Sequence, residues 1–437
     1  MTDPGAGAGV GERKRRKGVL RHRDFRLLWI GETTSKVGSS MSIVVMPLVA
    51  MTTLDASTFQ VSALAALTWL PWLVVGLPAG AWVDRLPSRR VMLVCNAVSL
   101  VSLGSVPVAA WTGVLTIWQM MIAALVAGTA AVFFETAFQV YVPSLVPSEE
   151  LVEGNAKLQG SAAAAHIAGP GIGGLLAQAV GAVWGVAADA LSFLVSSACL
   201  ASIRDDAGSE RPPARKNGSL LRDIREGLRF VFGDPYLRIF TLNGAAANLA
   251  LQGFTAVLVV FMVRELDVSA GAAGLAMAGT SVGGVIGATI VPWVTRRFGS
   301  ARGVLLGQVT VPFALLIPLA GPGAGLTLVV VGGLIISLGV MIVSVVKRSF
   351  VQEYCPRPIL GRVMVSMQFL NYGAIPVGAL LGGALSSAFG LRATVWVMTS
   401  AFVLTTLMLL FSPIRRHRNL PTAPPGQTEA DSRPVAR

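Results

Sequence analysis

Charge is scarce in this chain, and so are the residues that build most catalytic and metal sites. Charged residues make up 13% of the 437 residues, against roughly 25% in soluble globular proteins, whereas apolar residues reach 53%. No Gly-Lys dipeptide and no HExxH motif occurs, so a phosphate-binding P-loop is excluded and the common zinc-protease motif is missing. We expect no enzyme and no metal or cofactor. The cysteines lack paired spacing, and we expect packing roles for Cys95, Cys199 and Cys355.

Long hydrophobic runs fill most of the sequence. Because about 20 apolar residues in a helix cross the hydrocarbon core of a bilayer, they predict an all-α integral membrane protein with twelve spans. The predicted spans are residues 25–53, 59–83, 91–111, 115–140, 158–180 and 184–203, then 237–263, 270–294, 303–320, 325–346, 364–389 and 393–412.

The polar segments divide the chain further. We predict a basic cytoplasmic tail at 1–24, a six-helix bundle at 25–203, a cytoplasmic linker at 204–236, a second six-helix bundle at 237–412 and a disordered tail at 413–437. The linker has the pattern of an amphipathic helix on the membrane surface, with apolar Leu220, Leu221, Ile224, Leu228 and Phe232 between charges.

The net charge of +13 could indicate nucleic-acid binding, so the placement of the basic residues matters. On the predicted topology, 32 of the 35 Lys and Arg fall in the tails and loops of one side, including Lys347 and Arg348. This asymmetry follows the positive-inside rule and places both termini in the cytoplasm. A nucleic-acid partner is not expected.

An internal repeat relates the two halves. Because two similar halves enclose a site at their interface and open it alternately to each side, the repeat favours a secondary transporter with two pseudo-symmetric bundles. Gly76, Gly80, Arg89 and Arg90 recur 207 residues later as Gly283, Gly287, Arg296 and Arg297, and Pro147, Gly169, Gly173, Gly174 and Gly181 recur 209 residues later as Pro356, Gly378, Gly382, Gly383 and Gly390.

Two motifs are candidates for conformational roles. GPGIGG places Pro170 inside the fifth span, where a proline removes a backbone hydrogen bond and glycines allow bending; a simple kink is the alternative. GAWVDRLPSRR places Asp84 beside Arg85, Arg89 and Arg90, where ion pairing would hold the inner face of the protein in one conformation. Simple anchoring to the membrane surface would also explain the arginines.

These motifs resemble those of the major facilitator superfamily. GAWVDRLPSRR is similar to its loop between helices two and three, and GPGIGG to the helix-five motif of its drug:proton antiporters. VPSEELVEGNAKLQG, ADALSFLVSS, REGLRFVF and GRVMVSMQFL resemble the macrolide-efflux and enterobactin-exporter branch. The resemblance implies the major facilitator fold, a latch of Gly80, Asp84, Arg85, Arg89 and Arg90, and a hinge of Gly169, Pro170, Gly173 and Gly174. The chain departs from the pattern at Pro87 or Ser88, at Arg296, and at Ala124, where many antiporters carry arginine.

Ionisable residues inside the spans are functional candidates, because a charge in the membrane costs about 2.5–3.5 kcal/mol. Glu32 and Lys36 are one turn apart. They form either a structural ion pair or a site where Glu32 binds a cationic substrate or a proton. Glu135 is a candidate for proton binding or gating, or is solvated near the inner interface. Asp189 lies deeper, as a candidate for proton coupling or as a hydrogen-bonded carboxylate that fixes helix packing. His166 could titrate near neutrality or simply pack.

We therefore expect export of a small hydrophobic or amphipathic molecule, such as a drug, a siderophore or another natural product, in exchange for protons. The expected partners are this substrate, protons and membrane lipid, and the protein is expected to be a monomer in the cell membrane. An importer of the same fold is the main alternative, since fold alone does not set direction; a membrane-embedded enzyme is a weaker one.

Overall fold

The computed structural model describes residues 19–83, 85–147, 150–204 and 220–421, and these are helical apart from short connections. The first half (residues 19–204) contains α1 (Arg23–Leu54), α2 (Thr58–Val74), α3 (Gly76–Val83), α4 (Ser88–Trp111), α5 (Ile117–Leu145), α6 (Leu151–Val180) and α7 (Ala182–Ala201). The second half (residues 220–421) contains α8 (Leu220–Gly233), α9 (Pro235–Arg264), α10 (Ala270–Phe298), α11 (Ser300–Val309), α12 (Leu326–Tyr354), α13 (Arg357–Phe389) and α14 (Leu391–Leu410).

Polar side chains in the short connections start several of these helices. Ser57 accepts a hydrogen bond from the Gln60 backbone while the Gln60 side chain accepts one from Ser57, a reciprocal cap at the start of α2. Asp234 accepts from the second and third residues of α9, which begins with Pro235. Apolar runs form the spans, and these caps set where they begin.

Ten helices in the described residues are long and apolar enough to cross a membrane. Two further apolar stretches are shorter, Thr58–Val74 and Ser300–Leu316. The first continues into α3 after Val75, and the second joins α11 to a 3-10 segment, Val311–Leu316. A multi-pass membrane protein is thus the architecture that these helices specify.

Each half packs mostly against itself. In the first half α1 packs on α6 and α7, and α4 packs on α5 and α7; in the second, α9 packs on α13 and α14, and α10 on α12. Two seams join the halves, α6 against α10 and α2 against α13. We call these the α6–α10 seam and the α2–α13 seam.

Glycines of the sequence repeat occupy matching contacts. Gly169 of α6 lies against Ser40 of α1, and its repeat partner Gly378 of α13 lies against Leu249 of α9. The next pair, Gly174 and Gly383, lies at the two seams: a Cβ at Gly174 would be 2.5 Å from Ala270 O, and one at Gly383 would be 2.6 Å from the Ser62 Cβ. Only glycine permits such close helix approach.

The two ends of the molecule differ in how the halves meet. The short-loop end carries the connections at residues 55–57, 112–116, 265–269 and 390, and the basic end carries Arg85, Arg296 and Arg415. The hydrogen bonds that join the halves in the described residues lie at the short-loop end: Arg264 Nη2 donates to Ala56 O at 3.0 Å, and Gln178 Oε1 accepts from Gly271 N at 3.1 Å and from Ser269 Oγ at 3.2 Å.

Several helices extend beyond the predicted hydrophobic runs at the basic end. α6 begins at Leu151 rather than 158, α13 at Arg357 rather than 364, and α12 ends at Tyr354 rather than 346. Hydropathy marks the lipid-facing part of a helix, whereas backbone hydrogen bonding continues past it. Lys347 and Arg348, predicted in a loop, therefore lie inside α12; that placement was wrong.

The linker helix and the start of the last predicted tail pack on the second half. In α8, Glu226 Oε2 accepts a hydrogen bond from Arg362 Nη1 of α13 at 2.6 Å, and Val231 is fully buried. The side chains of Leu220, Leu221 and Ile224 on its predicted apolar face lie outside the described residues. Residues 413–421 are folded rather than disordered, with Ile414 buried and Leu420 N donating to Ser300 Oγ at 2.9 Å.

Candidate functional site: a charge cluster between helices α1 and α5

Three charged side chains of α1 and α5 form a single ion-paired group. Lys36 Nζ lies 3.3 Å from Glu32 Oε1 and 3.3 Å from Glu135 Oε2, to which it donates a hydrogen bond. Glu32 and Lys36 stand one turn apart on α1, in the favourable acid-before-base order. We call these residues the first-half charge cluster. It adds Glu135 to Glu32 and Lys36, which the sequence had already placed one turn apart.

The cluster is partly open to solvent. The side chains of Lys36 and Glu135 are 38% and 34% exposed, whereas that of Glu32 is 6% exposed. Two carboxylates share one ammonium, so the group carries one excess negative charge whenever both are ionised. A partly exposed group of this kind can bind a proton or a cationic group, because each neutralises the excess charge.

His166 faces the same group from α6. It is exposed, and its ring is near enough to Lys36 for the two charges to interact. Because Pro170 has no N–H, the backbone carbonyl of His166 lacks the usual helical hydrogen bond from that position. The His166 ring therefore lies within electrostatic range of the first-half charge cluster.

Asp189 is not part of this cluster. It is 1% exposed, in α7, where the Ser42 hydroxyl of α1 donates a short hydrogen bond to its Oδ2. A Cβ at Gly38 would lie 2.6 Å from its Oδ1, so a glycine is needed there for α1 to approach the carboxylate. A groove of about 470 Å³ lies beside it between α1 and α7. These contacts join α1 to α7 and separate Asp189 from bulk water.

The glycines of GPGIGG face two different helices. A Cβ at Gly173 would lie 3.0 Å from Met41 O of α1, and one at Gly174 would lie 2.8 Å from Gly274 Cα of α10. Pro170 sits inside α6, which continues through it from Leu151 to Val180. The motif thus places α6 in close contact with its own half and with the other half at once.

The predicted latch is described only in part. Asp84 lies outside the described residues, and the environment of Gly80 is not described either. Arg85 and Arg90 are exposed. Arg89 donates from Nε to Leu200 O at 3.1 Å and from Nη2 to Ala201 O at 2.8 Å. It thereby satisfies carbonyls at the end of α7, where a cation also complements the helix dipole.

The second half contains one interior cation that sequence reasoning missed. Lys347 of α12 lies beside Gly244 of α9 and the side-chain oxygen of Asn371 in α13. Asn371 Nδ2 donates to Met367 O at 2.6 Å, and Asn248 Nδ2 of α9 donates to Asn371 O at 3.1 Å. Asn243, in contrast, points away and donates to Thr405 O at 2.8 Å.

A signal for Lys347 was present in the sequence. The apolar residues Val346, Phe350, Val351 and Tyr354 continue at helical spacing past the charged pair, and all four are buried. Reading that period would have kept Lys347 inside the span. A hydropathy average ended the span at 346, because two adjacent charges lowered it.

The cysteines sit in packed surroundings. Cys95 and Cys355 are buried and Cys199 is partly so, all with free thiols. Burial raises the pKa of the Cys355 thiol, just past the end of α12, to about 11, so it is not a ready nucleophile. Among the residues that the structure describes, no group of three or more His, Cys, Asp or Glu could hold a metal ion.

Membrane-crossing helices that hold an ion-paired cluster between them are typical of membrane transporters, and the family and relatives of this chain are transporters. The chain belongs to the transmembrane secretion effector family of the major facilitator superfamily, whose model matches residues 18–431. Multidrug efflux pump Tap of Mycolicibacterium fortuitum is 27% identical over 406 residues, which are 91% of this chain and 98% of that protein. Macrolide efflux protein A of Streptococcus pyogenes is 21% identical over 413 residues, 91% of this chain and 97% of that protein.

Solved structures share the fold at low identity. The nucleoside transporter NupG superposes with a TM-score of 0.75 at 11% identity, covering 90% of this chain and 99% of that one. A bacterial homologue of the iron transporter ferroportin, in its inward-facing state, gives a TM-score of 0.71 at 16% identity and covers 90% of this chain and 99% of that one. At these identities the likeness concerns the fold alone.

Proposed function

We propose that the protein exports a small hydrophobic or amphipathic molecule, such as a drug, a siderophore or another natural product, from the cell in exchange for protons. Two observations support export: the relatives named as multidrug and macrolide efflux proteins match about 90% of the chain, and GPGIGG resembles an antiporter motif. The aromatic rings of Trp69, Trp72 and Tyr372, which meet across the α2–α13 seam, would contact an apolar substrate.

The proposed architecture is twelve spans in two pseudo-symmetric bundles. The two shorter apolar stretches, α2 with α3 and α11 with its 3-10 continuation, would complete six spans in each half. The matched contacts of Gly169 with α1 and of Gly378 with α9 support this arrangement. Rocking one bundle against the other would then expose the space between them to each side in turn.

The proposed orientation places the basic end and both termini in the cytoplasm, in accord with the positive-inside rule. The hydrogen bonds of Gln178 and Arg264 hold the halves together at the short-loop end. Together these features support an inward-facing state, with the first-half charge cluster reachable from the cytoplasm. The protein would act as a monomer in the cell membrane.

The single observation that carries the coupling proposal is that two carboxylates share the one ammonium of Lys36. With Lys36 held between Glu32 and Glu135, a proton or a cationic group of the substrate could occupy the site, but not both. Mutually exclusive occupancy is what exchange requires, since each transported species must be released before the other binds. Asp189, enclosed between α1 and α7, would act through helix packing.

The glycine motif and the basic loop would serve the conformational change. Gly169, Pro170, Gly173 and Gly174 would let α6 bend and slide while it remains in contact with α1 and α10. Arg89, already bound to the end of α7, would hold the first half rigid as it moves. Pairing of Asp84, Arg85 and Arg90 near Gly80 would complete the proposed latch.

Transport into inside-out membrane vesicles tests this proposal. A panel of fluorescent dyes, macrolides and siderophores is added to vesicles with an acidified lumen, and accumulation is measured with and without a protonophore. We expect protonophore-sensitive accumulation of at least one amphipathic member. Glu135→Gln should abolish the response to the gradient, while Glu353→Gln, at an exposed residue near the end of α12, should not.

The outcomes separate the alternatives. Accumulation that persists after the gradient collapses would contradict proton exchange, and uptake only in right-side-out vesicles would favour an importer. Equal behaviour of Glu135→Gln and the wild type would remove the first-half charge cluster from the coupling mechanism. No gradient-dependent accumulation of any panel member would contradict the proposed export.

A further inference from the structure

Lys347 is an interior cation without a counterion. Among the described residues it makes no ion pair and no hydrogen bond, although it lies seven residues inside the end of α12. At 1.5 Å per residue this is about 10 Å along the helix from the basic end. An uncompensated charge at such a depth is costly, so an interior lysine of this kind is retained where an anion meets it.

The position of Lys347 matches that of Lys36 in the other half. Lys36 lies four residues before Ser40, which contacts Gly169, and Gly244 lies five residues before Leu249, which contacts the repeat partner Gly378. The Nζ of Lys347 lies beside Gly244, so it stands at the backbone level that corresponds to Lys36 in the first half. Lys36 belongs to α1, whereas Lys347 belongs to α12 and reaches across to α9, the counterpart of α1.

The surroundings of the two ammonium groups differ in charge. Around Lys36 stand two carboxylates, and around Lys347 stands the neutral amide of Asn371. A Cβ at Gly244 would lie only 2.5 Å from Lys347 Nζ, so the glycine leaves the space that the ammonium occupies. Asn248 holds the backbone of α13 at Asn371, which fixes one wall of this space.

We propose that Lys347, with Asn371, binds a carboxylate group of the transported molecule. The inference rests on the proposed function, because it names the substrate class of the same central space. An ammonium offers three donors to a carboxylate, and a charge-assisted hydrogen bond forms strongly where water is partly excluded. The side-chain oxygen of Asn371 is an acceptor, so its part is to orient the ammonium. The second half thus selects carboxylate-bearing amphipathic molecules, while the first half exchanges the proton.

The test uses two dyes that differ by one group. Rhodamine 110 carries a free carboxylate, and rhodamine 123 is its methyl ester. Binding to the purified full-length protein is measured by fluorescence anisotropy, and accumulation is measured in inside-out vesicles with an acid lumen. We expect the wild type to bind rhodamine 110 more tightly than rhodamine 123, and Lys347→Gln to weaken binding of rhodamine 110 about tenfold or more without weakening that of rhodamine 123.

Three variants serve as controls. Lys347→Arg keeps the charge and should keep the preference for rhodamine 110, which a purely structural role of Lys347 would not predict. Arg348→Gln removes the exposed neighbouring cation and should change neither affinity. Gly244→Ala places a Cβ against Lys347 Nζ and should weaken binding of rhodamine 110 more than that of rhodamine 123.

The outcomes distinguish this inference from the proposed function. Equal affinity of the wild type for both dyes, no affinity for either, or an equal loss of both in Lys347→Gln overturns the carboxylate site. Selective binding of rhodamine 110 with no gradient-driven accumulation of either dye supports the carboxylate site and contradicts proton-coupled export. Gradient-driven accumulation of both dyes that is insensitive to Lys347→Gln leaves export standing and removes the carboxylate site.

Discussion

The first half of the molecule holds its interior lysine between two carboxylates, whereas the second half leaves its lysine beside an amide. Lys36 has Glu32 and Glu135 at 3.3 Å, and Lys347 at the matching level has Asn371. The backbone contacts of the two halves are alike, down to the glycines at the seams. Two halves with matching glycine contacts can therefore differ in the chemistry around their interior lysines.

The largest expected effect comes from removing the cation of the first half. In Lys36→Gln, repulsion between Glu32 and Glu135 would keep a proton bound to the pair, so proton release would be lost. We expect gradient-driven accumulation in inside-out vesicles to fall about tenfold or more, equivalent to about 1.4 kcal/mol. Lys36→Arg should retain most of the rate. A normal rate for Lys36→Gln would contradict the assignment of proton exchange to the first half.

Making the second half resemble the first is expected to have the next largest effect. Asn371→Asp places a carboxylate beside Lys347 with almost no change in shape, so the lysine gains an internal counterion. Binding of rhodamine 110 should weaken about tenfold while binding of rhodamine 123 is retained. Fluorescence anisotropy measures both, and unchanged selectivity in this variant would contradict the role given to the free ammonium.

A third prediction concerns the seam that the halves share. In Gly174→Leu the added side chain meets Ala270 O and Gly274 of α10, an overpacking that typically costs about 1–3 kcal/mol. Accumulation should fall several-fold, because closure at the short-loop end is disfavoured. Gly160→Leu, on the same helix with nothing within 4 Å of its Cβ position, is the matched control. Equal rates in the two variants would contradict a close seam.

The smallest expected effect is a difference in stability between variants of two arginines that the repeat relates, Arg89 and Arg296. Arg89 of the first half binds carbonyls of another helix, α7, whereas its counterpart Arg296 binds Pro292 O within its own helix at 3.1 Å. Arg89→Gln should destabilise the purified protein by about 1–2 kcal/mol and Arg296→Gln by less. Thermal unfolding in detergent would show this as a lower melting temperature for Arg89→Gln. The reverse order would show that Arg89 does not brace α7.

Much of the fold could be predicted, because it depends on hydrophobic length and on glycine spacing. The repeat pairs Gly169 with Gly378 and Gly174 with Gly383 were visible in the sequence, and both make equivalent contacts. Helix ends at the basic side could not be placed so well, since hydropathy falls before hydrogen bonding stops. That difference is why Lys347 was assigned to a loop.

The candidate site was predicted residue by residue but not as a group. The spacing of Glu32 and Lys36 on one helix made an ion pair one of two alternatives, and the structure contains that pair. Nothing in the sequence brought Glu135 to the same lysine, because that contact depends on how α5 packs on α1. Asp189 was expected to lie deeper in its span than Glu135, but its partners could not be read from the sequence. Its burial by Ser42 and Gly38 could be seen only once α1 and α7 were in contact.

Distance measurements across both ends of the molecule test the central claim most directly. Spin labels are attached at exposed Val114 and Ala324 near the short-loop end, and at exposed Asn155 and Glu353 at the basic end, in a chain whose three native cysteines are replaced by alanine. We predict that lowering the pH lengthens the Val114–Ala324 distance and shortens the Asn155–Glu353 distance. Glu135→Gln should remove this response. Two distances that stay constant, or that change in the same sense, would contradict alternating access driven by the first-half charge cluster.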